Sequence, residues 1–252
     1  MYHDVVAPGR EDASGFPGRD ANSYKVTVDR FCAHLDAILE RRPAAGAPLF
    51  TFDDGGSAAQ AAADQLESRG LRGHFFVTAN YIGAPGFVNA AAIRDLDRRG
   101  HVVGSHSCSH PLRIGHCSIE QLHDEWMRSR DVISGLLGRP ITFASVPGGD
   151  FQPPVAEAAA AAGFTDLFTS EPTPVSRPAF ALTLHGRFTV RSWTRASTAA
   201  ALAGGDYLPR VRQALAWNVK KLGKQLGGER YLRVRQLVLG DGRQVRWGDC
   251  RD

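Results

Sequence analysis

Pro48-Leu49-Phe50-Thr51-Phe52, the stretch Ser57 to Arg69 closed by Gly70, and His74-Phe75-Phe76-Val77-Thr78 set the rhythm from which the fold is read. A short apolar run, a stretch with helical spacing and a second apolar run make one strand–helix–strand unit. Ser57-Ala58-Ala59-Gln60 has the spacing of a capping box: the serine hydroxyl can satisfy a first-turn N–H while the glutamine reaches back to the cap. Gly70 suits the left-handed backbone that ends a helix.

The same rhythm extends in both directions. Upstream, Phe31, Leu35, Ile38 and Leu39 recur at helical spacing and predict a helix over 28–42, and Met1 to Val6 reads as a first strand entered abruptly. Downstream, Asn89 caps a helix that ends before Gly100, and 102–105 is strand-like. Ser118-Ile119-Glu120-Gln121 is a second capping box, opening a helix to about Leu137. A strand over 141–146, a helix over 153–162 ending at Gly163 and a strand over 166–169 follow. Such alternation predicts an α/β fold of parallel strands with crossover helices, either a barrel or an open doubly wound sheet. Residues 171–180, with three prolines, read as a loop, and Gly186–Trp193 as a last strand. Helices are expected over 196–203 and 207–226, then a short strand or tail around Gly240-Asp241-Gly242.

Composition bounds the function. The chain has 252 residues, 43% hydrophobic and 22% charged, which is the profile of a globular protein with a real core. No apolar run approaches the ~20 residues that span a bilayer. The charged start shows no secretory leader, so the expected location is the cytoplasm or the inner membrane face, unless the start of the chain is missing. Cys32, Cys108, Cys117 and Cys250 form no CxxC pair, and reduced thiols are the default expectation. Residues 207–235 carry eight Lys/Arg against the single acid Glu229. This basic segment reads as a solvated helix face or as a contact for an anionic membrane surface. Aromatics do not interleave with the basic residues, which speaks against nucleic-acid binding.

Three motifs fall at the carboxyl ends of predicted strands, where barrels and open sheets both place their sites. They are Asp53-Asp54-Gly55, His106-Ser107-Cys108-Ser109-His110 and Pro147-Gly148-Gly149. Alone, Asp-Asp-Gly is a turn sequence and His-x-x-x-His a weak signal. Together, Asp54, His106 and His110 supply one carboxylate and two imidazoles, a set suited to Zn²⁺, with Co²⁺, Ni²⁺ or Fe²⁺ as alternatives. Three protein ligands leave a position for water, and Asp53, not spent on metal, can act as general base. A structural zinc knuckle built from His101, His106, Cys108, His110, His116 and Cys117 is the rival arrangement; their spacing fits no closed Cys/His pattern.

These motifs resemble those of the polysaccharide deacetylases, carbohydrate esterase family 4 with its NodB homology domain. Thr51-Phe52-Asp53-Asp54-Gly55 is similar to the family's first motif and His106–His110 to its second. Tyr2-His3 and Gly73-His74-Phe75-Phe76 extend the likeness over roughly residues 1–195. The resemblance implies a distorted (β/α) barrel of about seven units, here over about 1–205, with a basic helical extension over 206–252 in one catalytic domain. It implies removal of N-acetyl groups from an N-acetylated sugar, with metal on Asp54, His106 and His110 and with Asp53 as base. The family's third motif typically carries an arginine two residues before the proline, which holds the base; this chain has Ser145 there. The family's general-acid histidine is matched by Leu184-His185, with His3 as the alternative. Trp193 and Trp126 suit either sugar stacking or core packing. Two other readings stay open: hydrolysis of a non-sugar cyclic amide, and a non-catalytic glycan-binding homologue that keeps the metal.

Overall fold

The computed structural model describes residues 1–41 and 48–219. In chain order the elements are β1 (Asp4–Val6), α1 (Arg19–Asn22), β2 (Lys25–Thr27), α2 (Val28–Glu40), β3 (Phe50–Phe52), α3 (Ala59–Glu67), β4 (Gly73–Val77) and α4 (Ala90–Arg98). There follow β5 (Val102–Ser105), α5 (Ile119–Leu137), β6 (Phe143–Ser145), α6 (Pro153–Ala161), β7 (Asp166–Phe168), β8 (Ser176–Ala179), β9 (Leu182–His185) and α7 (Ala196–Gly204). A further helix occupies 207–219.

Seven strands form one mixed sheet in the order β3-β4-β5-β6-β7-β9-β8, curled into a half-barrel with the helices packed against it. All neighbours are parallel except β8, which runs antiparallel to β9. β1 and β2 make a separate parallel pair, and Tyr2 bridges to Phe52 of β3. This is the α/β barrel implied by the family resemblance, one of the two arrangements the alternation allows, reached with short strands and a hairpin at the edge.

Strand period decides which side chains meet. Phe52 and Phe75 stack at 4.7 Å and 9° between β3 and β4, and Tyr2 stacks on Phe52 at 5.6 Å. Both phenylalanines join Ala62, Leu66, Ile93, Leu96 and Trp126 in the core between sheet and helices. Phe76, one residue out of phase with Phe75, sits instead beside Phe168 at 5.2 Å. Gly104 of β5 permits a close approach there, since a Cβ at that position would stand 2.5 Å from the Phe143 carbonyl oxygen.

The helix caps divide into those the sequence announces and one it does not. Asn89 accepts from the Ala92 N–H, and Ser118 with Gln121 forms the reciprocal capping box. The box expected at Ser57 is absent. α3 starts two residues later, after Ala58, and Gln60 donates instead to Asp95. The Ala58 N–H is satisfied by the hydroxyl of Ser14, brought from the opening loop, so a tertiary contact replaces the local cap.

Two further expectations are corrected after residue 170. Part of the proline-rich stretch is the edge strand β8, whose Pro178 pairs with Thr183; an edge tolerates a residue without an N–H. Among the described residues the last strand is β9, Leu182–His185, and not Gly186–Trp193. In the latter segment the Arg187 N–H goes to Glu171 and the Ser192 N–H to Ser23, leaving no ladder. Cys117 is disulfide-bonded, against the expectation of reduced thiols, while Cys32 and Cys108 are free; cysteine spacing alone does not set such a pairing. The helix expected over 207–226 is seen to 219. Its remainder, the strand near Gly240 and most of the basic segment lie outside the described residues. No helix among the described residues is long and apolar enough to cross a membrane.

The β1–β2 pair buries a charged couple. Lys25 donates its ammonium to the Glu11 and Phe16 carbonyls, pinning the opening loop, and Asp4 lies beside it, 4% exposed. Burial pushes the Asp4 carboxyl up to about 6, and the Ser14 hydroxyl and Lys25 only partly offset it. A carboxyl raised on folding stabilises fully below its unfolded value near 4, and that contribution is lost as pH rises through about 6. Asp4→Asn is therefore expected to flatten the pH dependence of the urea midpoint between pH 4 and 6. It should also raise stability at pH 7.5 by roughly 1–3 kcal/mol. A variant profile parallel to wild type would contradict this.

Candidate active site

Asp53 and Asp54 leave the end of β3 under backbone constraint. Asp54 takes φ 75°, a left-handed conformation that costs a non-glycine residue about 1–2 kcal/mol. Gly55 follows at φ 79°, where a Cβ would stand 3.2 Å from Val77 Cα, so only glycine passes beneath β4. The Val88 N–H bonds to the Gly55 carbonyl and holds the turn.

The histidine loop after β5 is strained in the same way, with Ser107 and His110 both at φ 62°. Its support is specific. The Ser107 N–H donates to Ser105 Oγ, and the His110 N–H to Ser107 Oγ. Glu125 of α5 accepts from the Cys108 and Ser109 N–H groups and from the Ser109 hydroxyl. Ser107, Cys108 and Ser109 thus serve as the scaffold that turns two histidines toward one point.

That point is Asp54. His106 Nε2 lies 3.3 Å and His110 Nε2 3.4 Å from the same oxygen, Asp54 Oδ1. One ligand atom from each residue falls within 4.8 Å of the others, and both histidines are buried. His106 Nδ1 lies 3.0 Å from the Ser145 carbonyl, an acceptor only, so Nδ1 carries the proton and Nε2 presents its lone pair to Asp54. A lone pair facing a carboxylate oxygen calls for a cation or a proton between them. Burial opposes both charges, yet the two histidines hold Asp54 well below the usual carboxylate range. His106 is likewise raised against its burial by Asp53 and Asp54. The donor set fits a divalent metal.

Asp53 has a different partner. Arg187, 5% exposed, donates from Nη1 to Asp53 Oδ1 at 2.7 Å and from Nη2 to Oδ2 at 2.9 Å. Nη2 also donates to Ser145 Oγ at 2.7 Å, Nη1 to Thr51 Oγ1 at 3.2 Å, and Nε to the Thr169 carbonyl at 3.0 Å. All five guanidinium N–H positions are thereby accounted for. The Ser145 hydroxyl reaches Asp53 Oδ1 at 3.2 Å. Burial penalises the charge on Asp53, but Arg187 and His106 outweigh it and hold the carboxyl at about 2. The arginine missing from position 145 thus has a counterpart forty-two residues on, entering beside the vacated place.

Arg187 was not legible as a site residue. The signal available was an arginine inside the alternating stretch Gly186–Val190, together with the lack of an arginine at 145. Of the two candidate histidines, His3 stands at the site, half-buried and electrostatically coupled to Asp54, Asp53 and His106. His185 is engaged elsewhere, its Nε2 2.7 Å from Asp166 Oδ1 and its Nδ1 2.8 Å from Ser176 Oγ. The knuckle arrangement dissolves: His101 bonds to the Gly73 N–H and to Glu67, and His116 lies exposed beside Arg113. Trp126 is fully buried with its Nε1 on the Val155 carbonyl, whereas Trp193 is 63% exposed.

Comparison with known proteins places the chain in a family and a fold. Residues 41–167 match the family model described as polysaccharide deacetylase. Among solved structures, a polysaccharide deacetylase of Bacillus cereus superposes with TM-score 0.65 and 16% identity over 80% of this chain and 67% of its own. IcaB of Ammonifex degensii gives 0.64 and 22% over 81% and 95%. The deacetylase PplD of Streptococcus pyogenes, solved in complex with acetate, gives 0.58 and 17% over 75% and 90%. At these identities the structures speak for the fold, and no curated protein matches the chain. The chain belongs to the polysaccharide deacetylase family, whose members are hydrolases of carbon–nitrogen bonds other than peptide bonds.

Proposed function

We propose that this protein removes N-acetyl groups from an N-acetylated sugar of a polysaccharide, glycolipid or biosynthetic intermediate. The observation that carries the reading is the convergence of two imidazole Nε2 atoms on one oxygen of Asp54, with the buried ionised Asp53 adjoining. Asp54, His106 and His110 would hold a divalent metal, for which Zn²⁺ is the best match to two nitrogens and one oxygen. When bound, such an ion supplies Lewis acidity and a water acidic enough to attack at neutral pH.

The protein's own groups handle the proton. A carboxylate has about four acceptor sites. On Asp53, Oδ1 receives Arg187 and Ser145 and Oδ2 receives Arg187, which leaves one site on Oδ2. Asp53 takes the proton from the attacking water at that site while the water oxygen bonds to the acetyl carbon. The carbon–nitrogen bond then breaks, Asp53 returns the proton to the departing amine, and acetate is released. A carboxyl at about 2 is a weak base, but it gives its proton up readily. Burial holds His3 at about 4, against the pull of Asp54 and Asp53, so it enters as a neutral imidazole. We assign it a hydrogen-bonding role toward the amide rather than that of a protonated acid. Arg187 is the positioning residue for Asp53.

Three outcomes follow. Asp53→Asn should lower acetate release from N-acetylglucosamine oligomers by about 10²–10⁴-fold with metal binding retained; a fully active variant would remove Asp53 as the base and sink the mechanism. Chelation should abolish acetate release and Zn²⁺ should restore it, whereas activity indifferent to chelator would remove the metal from the chemistry. Arg187→Ser should cost about 3–5 kcal/mol in urea unfolding, because it strands a buried carboxylate. Adding Ser145→Arg to Arg187→Ser should recover part of that loss, since both positions reach the same face of Asp53. A double variant no better than the single one would show that the two positions are not interchangeable.

A further inference from the structure

His3, Tyr24, Arg191 and Trp193 form a run of side chains leading from the two metal-motif carboxylates to solvent. The His3 ring packs on Tyr24 with centroids 4.4 Å apart. The Arg191 guanidinium lies over the Tyr24 ring at 3.8 Å, and Trp193 stands 5.5 Å from the same guanidinium, 63% exposed. The open face of the indole is an apolar surface on which a sugar ring can stack.

The turn that carries Trp193 is fixed from several sides. The Ser192 N–H donates to the Ser23 carbonyl, the Arg191 N–H to Thr194 Oγ1, and Arg30 to the Ser192 carbonyl. Arg191 itself donates to Ser23 Oγ at 3.0 Å and to Tyr24 Oη at 2.8 Å. These use two of its five N–H positions and leave an edge for an anion. Thr194 and Arg195, the residues that follow Trp193, line a cleft of about 440 Å³ together with Thr27, Arg30 and His34, with Asp29 as its one acid. An aromatic face, a locked guanidinium and two further arginines make a surface for a sugar ring bearing negative charge. A neutral sugar would use only the indole.

We propose that Trp193 and Arg191 bind an acidic sugar residue of the glycan, flanking the residue that is deacetylated, with the ring on the indole and its carboxylate or phosphate on the guanidinium. The proposal rests on the deacetylase reading for the direction of the chain, and it is tested by binding so that the two can fail separately. Titrations of the metal-loaded protein would compare N-acetylglucosamine hexamer, a hexamer alternating N-acetylglucosamine with glucuronate, and N-acetylglucosamine 6-phosphate. Wild type should bind at least one acidic probe about tenfold tighter than its neutral counterpart, N-acetylglucosamine hexamer or monomer; whichever probe does so tells carboxylate from phosphate. Arg191→Gln should bring that preference to about one, and Trp193→Ala should weaken acidic and neutral oligomers alike. Absence of a preference in wild type, an Arg191→Gln protein that keeps it, or Trp193→Ala binding that matches wild type would overturn the proposal. Acetate release by wild type from the neutral hexamer, measured in parallel, reports on the deacetylase reading alone.

Discussion

The site depends on one buried ion pair. Arg187 and Asp53 are almost wholly removed from water, and each is satisfied by the other plus a few neutral groups. A buried carboxylate without a partner would protonate rather than remain charged. The pair therefore sets the charge state of the group next to the metal ligands. It also ties the end of β3 to β6 through Ser145 and to the residue after β7 through Thr169, so one guanidinium joins three places on the barrel wall. Phe76 and Phe168 flank it at 5.7 and 5.8 Å and keep water away.

The metal motifs rely on a different device, stored backbone strain. Asp54, Ser107 and His110 are three of the four non-glycine residues at positive φ among those described, and all three belong to the two metal motifs. Each is over-determined by its surroundings: Gly55 under Val77, Ser105 and Ser107 hydroxyls on the loop amides, Glu125 beneath the histidine turn. Such strain persists where neighbouring packing enforces it, and here it aims ligands that a relaxed turn would point elsewhere.

Much of this was legible in the sequence because it is local. Strand alternation at 50–52 and 73–77, the caps at Asn89 and Ser118 and the glycine stops all depend on residues a few positions apart. The convergence of Asp54, His106 and His110 was legible for a related reason: strand ends fix direction, so motifs at the same end of nearby parallel strands meet. What escaped is what tertiary contacts decide. The cap of α3 comes from Ser14, β8 survives its proline because it lies at an edge, and the partner of Asp53 lies 134 residues away. No spacing rule reaches over such a distance, although the serine at 145 marked where a partner was owed.

The location of Arg187 separates the two halves of the site along the chain. Asp54, His106 and His110 all lie between residues 54 and 110, after β3 and β5 on either side of β4, whereas Arg187, the partner of Asp53, arrives only after the last strand of the parallel series. In chain order, all three residues of the candidate metal set precede the counter-charge of Asp53 by more than seventy positions. The first cluster is assembled by neighbouring parts of the sheet, while the ionisation of Asp53 depends on a residue from its far end. The buried ionised carboxylate thus requires the far edge of the sheet, whereas the Asp54–His106–His110 cluster is a property of its first three strands.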